Sequence, residues 1–122
     1  MSELPNKHVF DLEERTAKFG EDVLMLCKTL KVTILNEPII KQIIRSATSV
    51  GANYMEANGA CSKKDFCNKI YISKKEALET KHWLRMLLAT ESGESMDQIK
   101  RLLQEAHELS CIFHKIATTT KK

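Results

Sequence analysis

The stretch that decides the fold runs from Ile39 to Leu88: IIKQIIRSATSVGANYMEANGACSKKDFCNKIYISKKEALETKHWLRMLL. It reads as two long helices folded back on each other around a turn near Gly59–Ser62. Arg45, Ser49, Asn53 and Glu56 recur at steps of four, four and three. Glu76, Glu79 and Trp83 recur at steps of three and four. Residues spaced this way share one face of an α-helix. Apolar residues in the first half (Ile40, Ile43, Ile44, Ala47, Val50, Gly51, Tyr54 and Met55) define a broad face roughly opposite that polar stripe. In the second half, Phe66, Ile70, Ser73, Ala77, Thr80, Leu84, Leu87 and Leu88 form the inward stripe.

The segments on either side continue the pattern. Leu12, Thr16, Phe19, Val23, Leu26 or Cys27, and Leu30 alternate steps of three and four, predicting a helix over about 11–30 behind a tail at 1–10. Ile99, Leu102, Leu103, Ala106, Leu109, Phe113 and Ile116 predict a last helix over about 96–117. Asn36 is a good N-cap, with Pro38 in the following turn, and starts a helix over 37–58. Asn58–Gly59 ends it with residues that tolerate a left-handed cap. Ser62 caps a helix over 63–90, with Asp65 in the place of the capping-box acid. Glu91–Glu94 is a turn, and Ser95 with Gln98 makes a capping box for the last helix. Short connections between four amphipathic helices predict an all-α, up-down-up-down antiparallel four-helix bundle, one domain over 1–122.

Composition agrees with this reading. The 122 residues are 43% hydrophobic, with only four glycines and two prolines to interrupt helices. Net charge is +3, which permits a polyanionic partner without demanding one. Its distribution says more. Between Ser62 and Thr90, seven lysines and arginines face three carboxylates, while the chain before Asn36 carries five against six. The positive field therefore concentrates on the third helix. Lys63, Lys64, Lys74, Lys75, Lys81 and Arg85 are the candidate phosphate contacts, with Arg101, Lys115 and the Lys121–Lys122 tail as additions. The competing reading is that these lysines only solvate a helix surface. No aromatic stripe accompanies them, so base stacking is expected to contribute little.

The chemistry of catalysis is missing. Glu79-Thr-Lys-His82 matches the Glu-x-x-His of bundle di-iron sites, but those need a second such pair and two further inward carboxylates, which the other stripes lack. Cys111 and His114, with His107 nearby, could supply at most part of a zinc site and read better as packing. There is no nucleophile with an oriented base and no phosphate-binding glycine loop. No enzyme activity, metal or cofactor is expected. Cys27, Cys61, Cys67 and Cys111 lack a CxxC pair and, in a reducing compartment, read as small buried or half-buried residues. The N-terminus lacks the basic start and apolar run of a signal peptide, and no segment is apolar enough to span a membrane, so a cytoplasmic location is expected.

Tyr71 and Leu78 fall far from the core stripe of the third helix, and Ile72 and Trp83 lie on its flank. Such surplus apolar surface predicts a homo-oligomer through these four residues, unless Trp83 and Ile72 cover a seam within the bundle. Level pairing across the turn places Arg45 near Glu76 and Glu79, and Glu56 near Lys69. A charge ladder is the structural reading of this stripe; contact of its Arg, Ser and Asn with phosphates or a partner is the functional one.

Arg45-Ser-Ala-Thr-Ser49-Val-Gly-Ala-Asn53-Tyr-Met-Glu56, Ser62-Lys-Lys-Asp-Phe66 and Ile72-Ser-Lys-Lys-Glu76-Ala-Leu-Glu79-Thr-Lys-His-Trp83 together resemble one family. It is that of the bacterial four-helix-bundle proteins named after intervening sequences in 23S ribosomal RNA genes, which includes the accessory variability determinant of diversity-generating retroelements. The resemblance covers nearly the whole chain. It implies a small bundle assembled as a homopentameric ring with a basic surface, a nucleic-acid-binding role, and no enzymatic activity. The retroelement member works beside a reverse transcriptase, so a protein partner of that kind is also implied. The family's polar positions correspond to Arg45, Ser49, Asn53 and Glu56, and its acids in the third helix to Glu76 and Glu79. Asn58-Gly-Ala-Cys61 departs from the pattern, carrying no basic residue where many relatives have one.

Overall fold

The computed structural model describes residues 7–121, with side chains from 12 to 120. Four helices fill this range: α1 (Lys7–Thr29), α2 (Glu37–Asn58), α3 (Lys63–Thr90) and α4 (Glu94–Lys121). They form an antiparallel bundle in which α3 packs broadly on both α2 and α4. The contact of α1 with α2 is narrower, that of α1 with α4 is the slimmest, and α1 lies diagonal to α3. Two helices outrun their expected bounds. α1 begins at Lys7, inside the predicted tail, and α4 starts at Glu94 and continues to Lys121. The rest of that tail, residues 1–6, and Lys122 lie outside the described residues.

The core is the one the periodicity marks. Phe19, Val23, Ile43, Val50, Tyr54, Ile70, Leu84, Leu87, Ile99, Leu109 and Phe113 are fully buried. Tyr54 and Phe113 meet as a tilted ring pair at 5.8 Å. Small polar residues let α2 and α3 approach closely. Thr80 Oγ1 donates to Ser46 Oγ at 2.8 Å, and Ser73 Oγ donates to the Val50 carbonyl at 3.1 Å, so the buried hydroxyls cost no unmade hydrogen bond. Between α1 and α2, Gly51 presses so close to Thr16 that an added Cβ would lie 3.3 Å from its hydroxyl.

Ile44 and Met55, expected on the core face, are exposed instead. At 100° per residue they fall roughly 100–120° from Ile43, past the edge of the buried arc. Met55 and Leu24 border a shallow groove floored by Ala17, Gly20, Gly51 and Ala52.

Three caps differ from the pattern. Asn36 does not cap α2 with its side chain; it is fully buried. Its Oδ1 accepts from the Thr33 N–H at 2.7 Å, while the Asn36 N–H donates to Thr33 Oγ1 at 3.1 Å. The reciprocal pair is a capping box shifted back to Thr33, with Asn in place of Glu. Asn36 Nδ2 also donates to the Lys31 carbonyl at 3.0 Å and to Glu91 Oε2 at 2.9 Å, tying the α1–α2 connection to the α3–α4 turn. Gly59 is not left-handed, with φ −98°; its N–H tightens the last turn onto the Glu56 carbonyl at 3.1 Å. Ser95 donates to the Ser92 carbonyl rather than capping α4, and the left-handed residue of that turn is Gly93, φ +75°. Ser62 does cap α3, accepting from the Asp65 N–H at 3.0 Å.

Candidate nucleic-acid interface

The charged residues of α3 are sorted by face. At 100° per residue, Lys63, Lys64, Lys74, Lys75, Lys81 and Arg85 fall within an arc of about 120° that contains no carboxylate. Asp65, Glu76 and Glu79 share a different arc, centred roughly 130° away on the flank that meets α2. There Arg45 offsets part of the charge of Glu76 and Glu79. Arg45 of α2 contacts Glu76 through Nη1 at 3.2 Å and Glu79 through Nη2, and Lys69 meets Glu56 at 2.7 Å. Glu79 also accepts from the Trp83 indole N–H at 3.1 Å. That bond and Arg45 hold the Glu79 carboxyl below its ordinary range, while Glu79 in turn raises the Arg45 guanidinium. Lys69 is raised by Glu56.

The structure thus brings Arg45, Glu76 and Glu79 together. Ser49 and Asn53 turn to their own helix: Ser49 Oγ donates to the Arg45 carbonyl at 2.7 Å and Asn53 Nδ2 to the Ser49 carbonyl at 2.9 Å. Glu56 stands apart from the Arg45 cluster, with Lys69.

On the basic arc, Lys63, Lys64, Lys75 and Arg85 are exposed. Lys74 and Lys81 are half-buried and engaged, an arrangement that helical spacing alone did not reveal. Lys74 Nζ lies 3.0 Å from His114 Nδ1, and Lys81 Nζ lies 3.0 Å from His107 Nδ1. An ammonium only donates, so these imidazoles accept at Nδ1 and carry their proton on Nε2. The signal is readable in retrospect. Lys74 and Lys81 are seven apart on one antiparallel helix, His107 and His114 seven apart on the other, so the two pairs stand level across the seam. They extend the cationic face onto α4, where Lys100 is also exposed. The carboxylates of Glu105 and Glu108 turn toward α1, gripped by Arg15 at 2.6 Å each. Arg101 borders the α1–α4 groove and Lys115 is exposed. The Lys121 and Lys122 side chains lie outside those described.

The four residues assigned to an oligomer contact separate. Ile72 and Trp83 are half-buried, and Trp83 packs against the core beside its bond to Glu79, so it covers the α2–α3 seam. Tyr71 and Leu78 are exposed, but on the same side of α3 as Lys64, Lys75 and Arg85. The lysines are therefore not without an aromatic neighbour: Tyr71 and His82 both stand among them. The larger share of exposed apolar surface lies elsewhere. It comprises Leu24 and Met25 on α1, Val32, Ile34 and Leu35 in the connection, and Ile44 and Met55 on α2. Ile34 is 90% exposed.

Among the described residues no group of three or more His, Cys, Asp or Glu side chains converges as a metal site, and no helix is long and apolar enough to cross a membrane. Cys27 and Cys67 are half-buried, but Cys61 and Cys111 are exposed rather than packed, Cys61 in the α2–α3 turn and Cys111 on the outer side of α4; burial pushes the Cys27 thiol up to about 11.

These features define an all-α, four-helix-bundle protein with a cationic face on α3 that continues onto α4. The family model of the 23S rRNA-intervening sequence proteins matches residues 10–115, and the chain belongs to that family. Among solved structures it is similar to a protein of unknown function from the S23 ribosomal protein family of Bacteroides thetaiotaomicron. The two share 34% identity and a TM-score of 0.73, covering 86% of this chain and 96% of the other. No curated protein matches the chain.

Proposed function

We propose that this protein is a non-catalytic, oligomeric bundle of the cytoplasm that holds RNA or DNA by its backbone phosphates. The observation that carries the reading is the sorting of charge on α3. All six cations of the candidate set occupy one arc, while Glu76 and Glu79 lie on the α2 flank and share the Arg45 guanidinium. A solvated helix surface gains most from interleaved charges of both signs at i,i+4 spacing; a phosphate-binding face gains from their segregation. One such face is modest. A homopentameric ring, which the family resemblance implies, repeats it and turns a weak field into a strong collective one. Recognition through phosphates positions the strand and reads little sequence.

Binding of mixed-sequence RNA and DNA as a function of salt tests this. Affinity should fall steeply from ~50 mM salt upward. Lys75→Glu with Arg85→Glu should weaken it similarly for unrelated sequences and flatten the salt dependence by about one unit of slope for each cation removed from a phosphate. Wild-type protein that retains neither RNA nor DNA at ~50 mM salt, where such contacts are strongest, would refute the proposal.

A second reading rests on a separate observation. The apolar residues exposed along α1, the α1–α2 connection and α2 favour a protein-interaction ring, with self-association or partner docking on that side. Docking there should be nearly indifferent to salt, since the surface is apolar.

A further inference from the structure

A groove of about 730 Å³ opens between the first half of α3 and the last turns of α4. It lies beside the cationic arc of α3, and its walls combine three kinds of group with a single carboxylate, Asp65. Lys64, Lys74 and His114 supply cationic and imidazole nitrogens. Tyr71 offers a ring that is 54% exposed. Asn68 and Thr118 add an amide and a hydroxyl. Asp65 also borders the groove, at the first turn of α3, where its N–H is taken by Ser62. Lys74 Nζ stands 5.8 Å from the Tyr71 ring centroid, so a flat apolar surface and a cation sit side by side within one concavity.

A phosphate-only surface has no use for this combination. Backbone contact needs cations along a ridge, which Lys75 and Arg85 already provide. A groove of a few hundred cubic ångströms with an aromatic wall suits a compact ligand carrying both a π-face and an anion. We propose that it takes one unpaired nucleotide of a bound strand, the base laid against Tyr71 and its phosphate beside Lys74 and Lys64. The Asn68 amide is then within the groove to meet a base edge. The proposal rests on the nucleic-acid reading and sharpens it. In a duplex the bases are stacked and paired, so only a loop, bulge or free end can present one to an aromatic side chain. The protein should therefore prefer single-stranded segments, with Tyr71 as the source of the preference.

The test compares a short mixed-sequence single-stranded RNA with a blunt duplex RNA of equal length, by fluorescence anisotropy at ~50 mM salt. Tyr71→Ala should weaken the single strand by roughly tenfold, the loss expected for one stacked base, and leave the duplex unchanged. Tyr71→Phe keeps the ring and should bind both as wild type does. Equal losses on strand and duplex, or none on either, overturn the groove while leaving the phosphate-binding reading standing. A wild-type protein that binds neither RNA overturns the groove, and one that retains no DNA either overturns the phosphate-binding reading as well. Because any variant can disturb assembly, the wild-type protein should also be crosslinked to the single strand carrying 5-bromouridine. Attachment at Tyr71, found by mass spectrometry, supports the proposal; attachment confined to peptides outside the groove sinks it.

Discussion

Replacing Asn36 by alanine removes a side chain that holds both connections at one end of the bundle. Asn36 is fully buried and makes three side-chain hydrogen bonds, to the Thr33 N–H, the Lys31 carbonyl and the Glu91 carboxylate. Two are neutral, worth about 1 kcal/mol each, and the one to a carboxylate about 1.5–3 kcal/mol. Thr33 and Lys31 are themselves exposed, so water can reach part of what is left unpaired and lowers the total. The expected loss is about 2–4 kcal/mol, a large fraction of the 5–15 kcal/mol that keeps a typical domain folded. In urea, with an m-value of about 2 kcal/mol/M, the midpoint should drop by roughly 1–2 M. Protein concentration must be held constant, so that any self-association weighs equally on both proteins. Glu91→Ala supplies the second edge of a double-mutant cycle, and the pair should couple by at least ~0.5 kcal/mol. A loss below ~1 kcal/mol for Asn36→Ala, or strict additivity with Glu91→Ala, would mean that water replaces this network without cost, and the reasoning fails.

Three further outcomes are expected. Arg45→Ala should cost under ~1 kcal/mol in denaturant unfolding, because the guanidinium is 46% exposed and the pair is solvent-screened; a loss of several kcal/mol would show that Glu76 and Glu79 are more desolvated than they look. Gly20→Ala should stabilise by about 0.5–1 kcal/mol through helix propensity, since an added Cβ meets only ordinary contacts at 3.8 Å or more, whereas Gly51→Ala, squeezed against Thr16 at 3.3 Å, should gain less or lose. Glu79 has a lowered folded-state pKa, caused by the Trp83 indole and Arg45. Its contribution is fully present above the ordinary carboxylate value of about 4.3 and is lost as pH falls through the lowered one. Wild-type stability should therefore decline more between neutral and strongly acid pH than that of Glu79→Gln, and parallel pH profiles would contradict this.

Much of the fold could be read from spacing because amphipathic period is a property of consecutive residues. The inward stripes of α3 and α4 are buried almost position for position. Level pairing about the turn also placed Arg45 opposite Glu76 and Glu79, since both helices rise by the same amount per residue. What escaped depends on neighbours that sequence does not put side by side. Asn36 before a proline-containing first turn has the same pattern whether it caps its own helix or bonds to Glu91, fifty-five positions away. The edge of a buried arc depends on how far α1 reaches around α2. Small residues at Ala17 and Gly20 leave that reach short, so Ile44 and Met55 stay outside. The Lys74–His114 and Lys81–His107 pairs needed the register of α3 on α4, which no tight turn of fixed geometry announces.

The slender attachment of α1 bears on how the molecule comes apart. Its seam with α4 is clasped at the surface by Arg15, Glu105 and Glu108, and a groove of about 640 Å³ runs beside that clasp. α3, by contrast, is packed along both sides. Opening of a native protein tends to follow its most weakly held element, so α1 should be the first unit to detach while α2, α3 and α4 remain associated. In native-state hydrogen exchange its amides should move together, at a lower free energy than those of α3. A salt or acid condition that loosens the Arg15 clasp would lower that energy further, uncovering Phe19 and Val23 and the core surface beneath them.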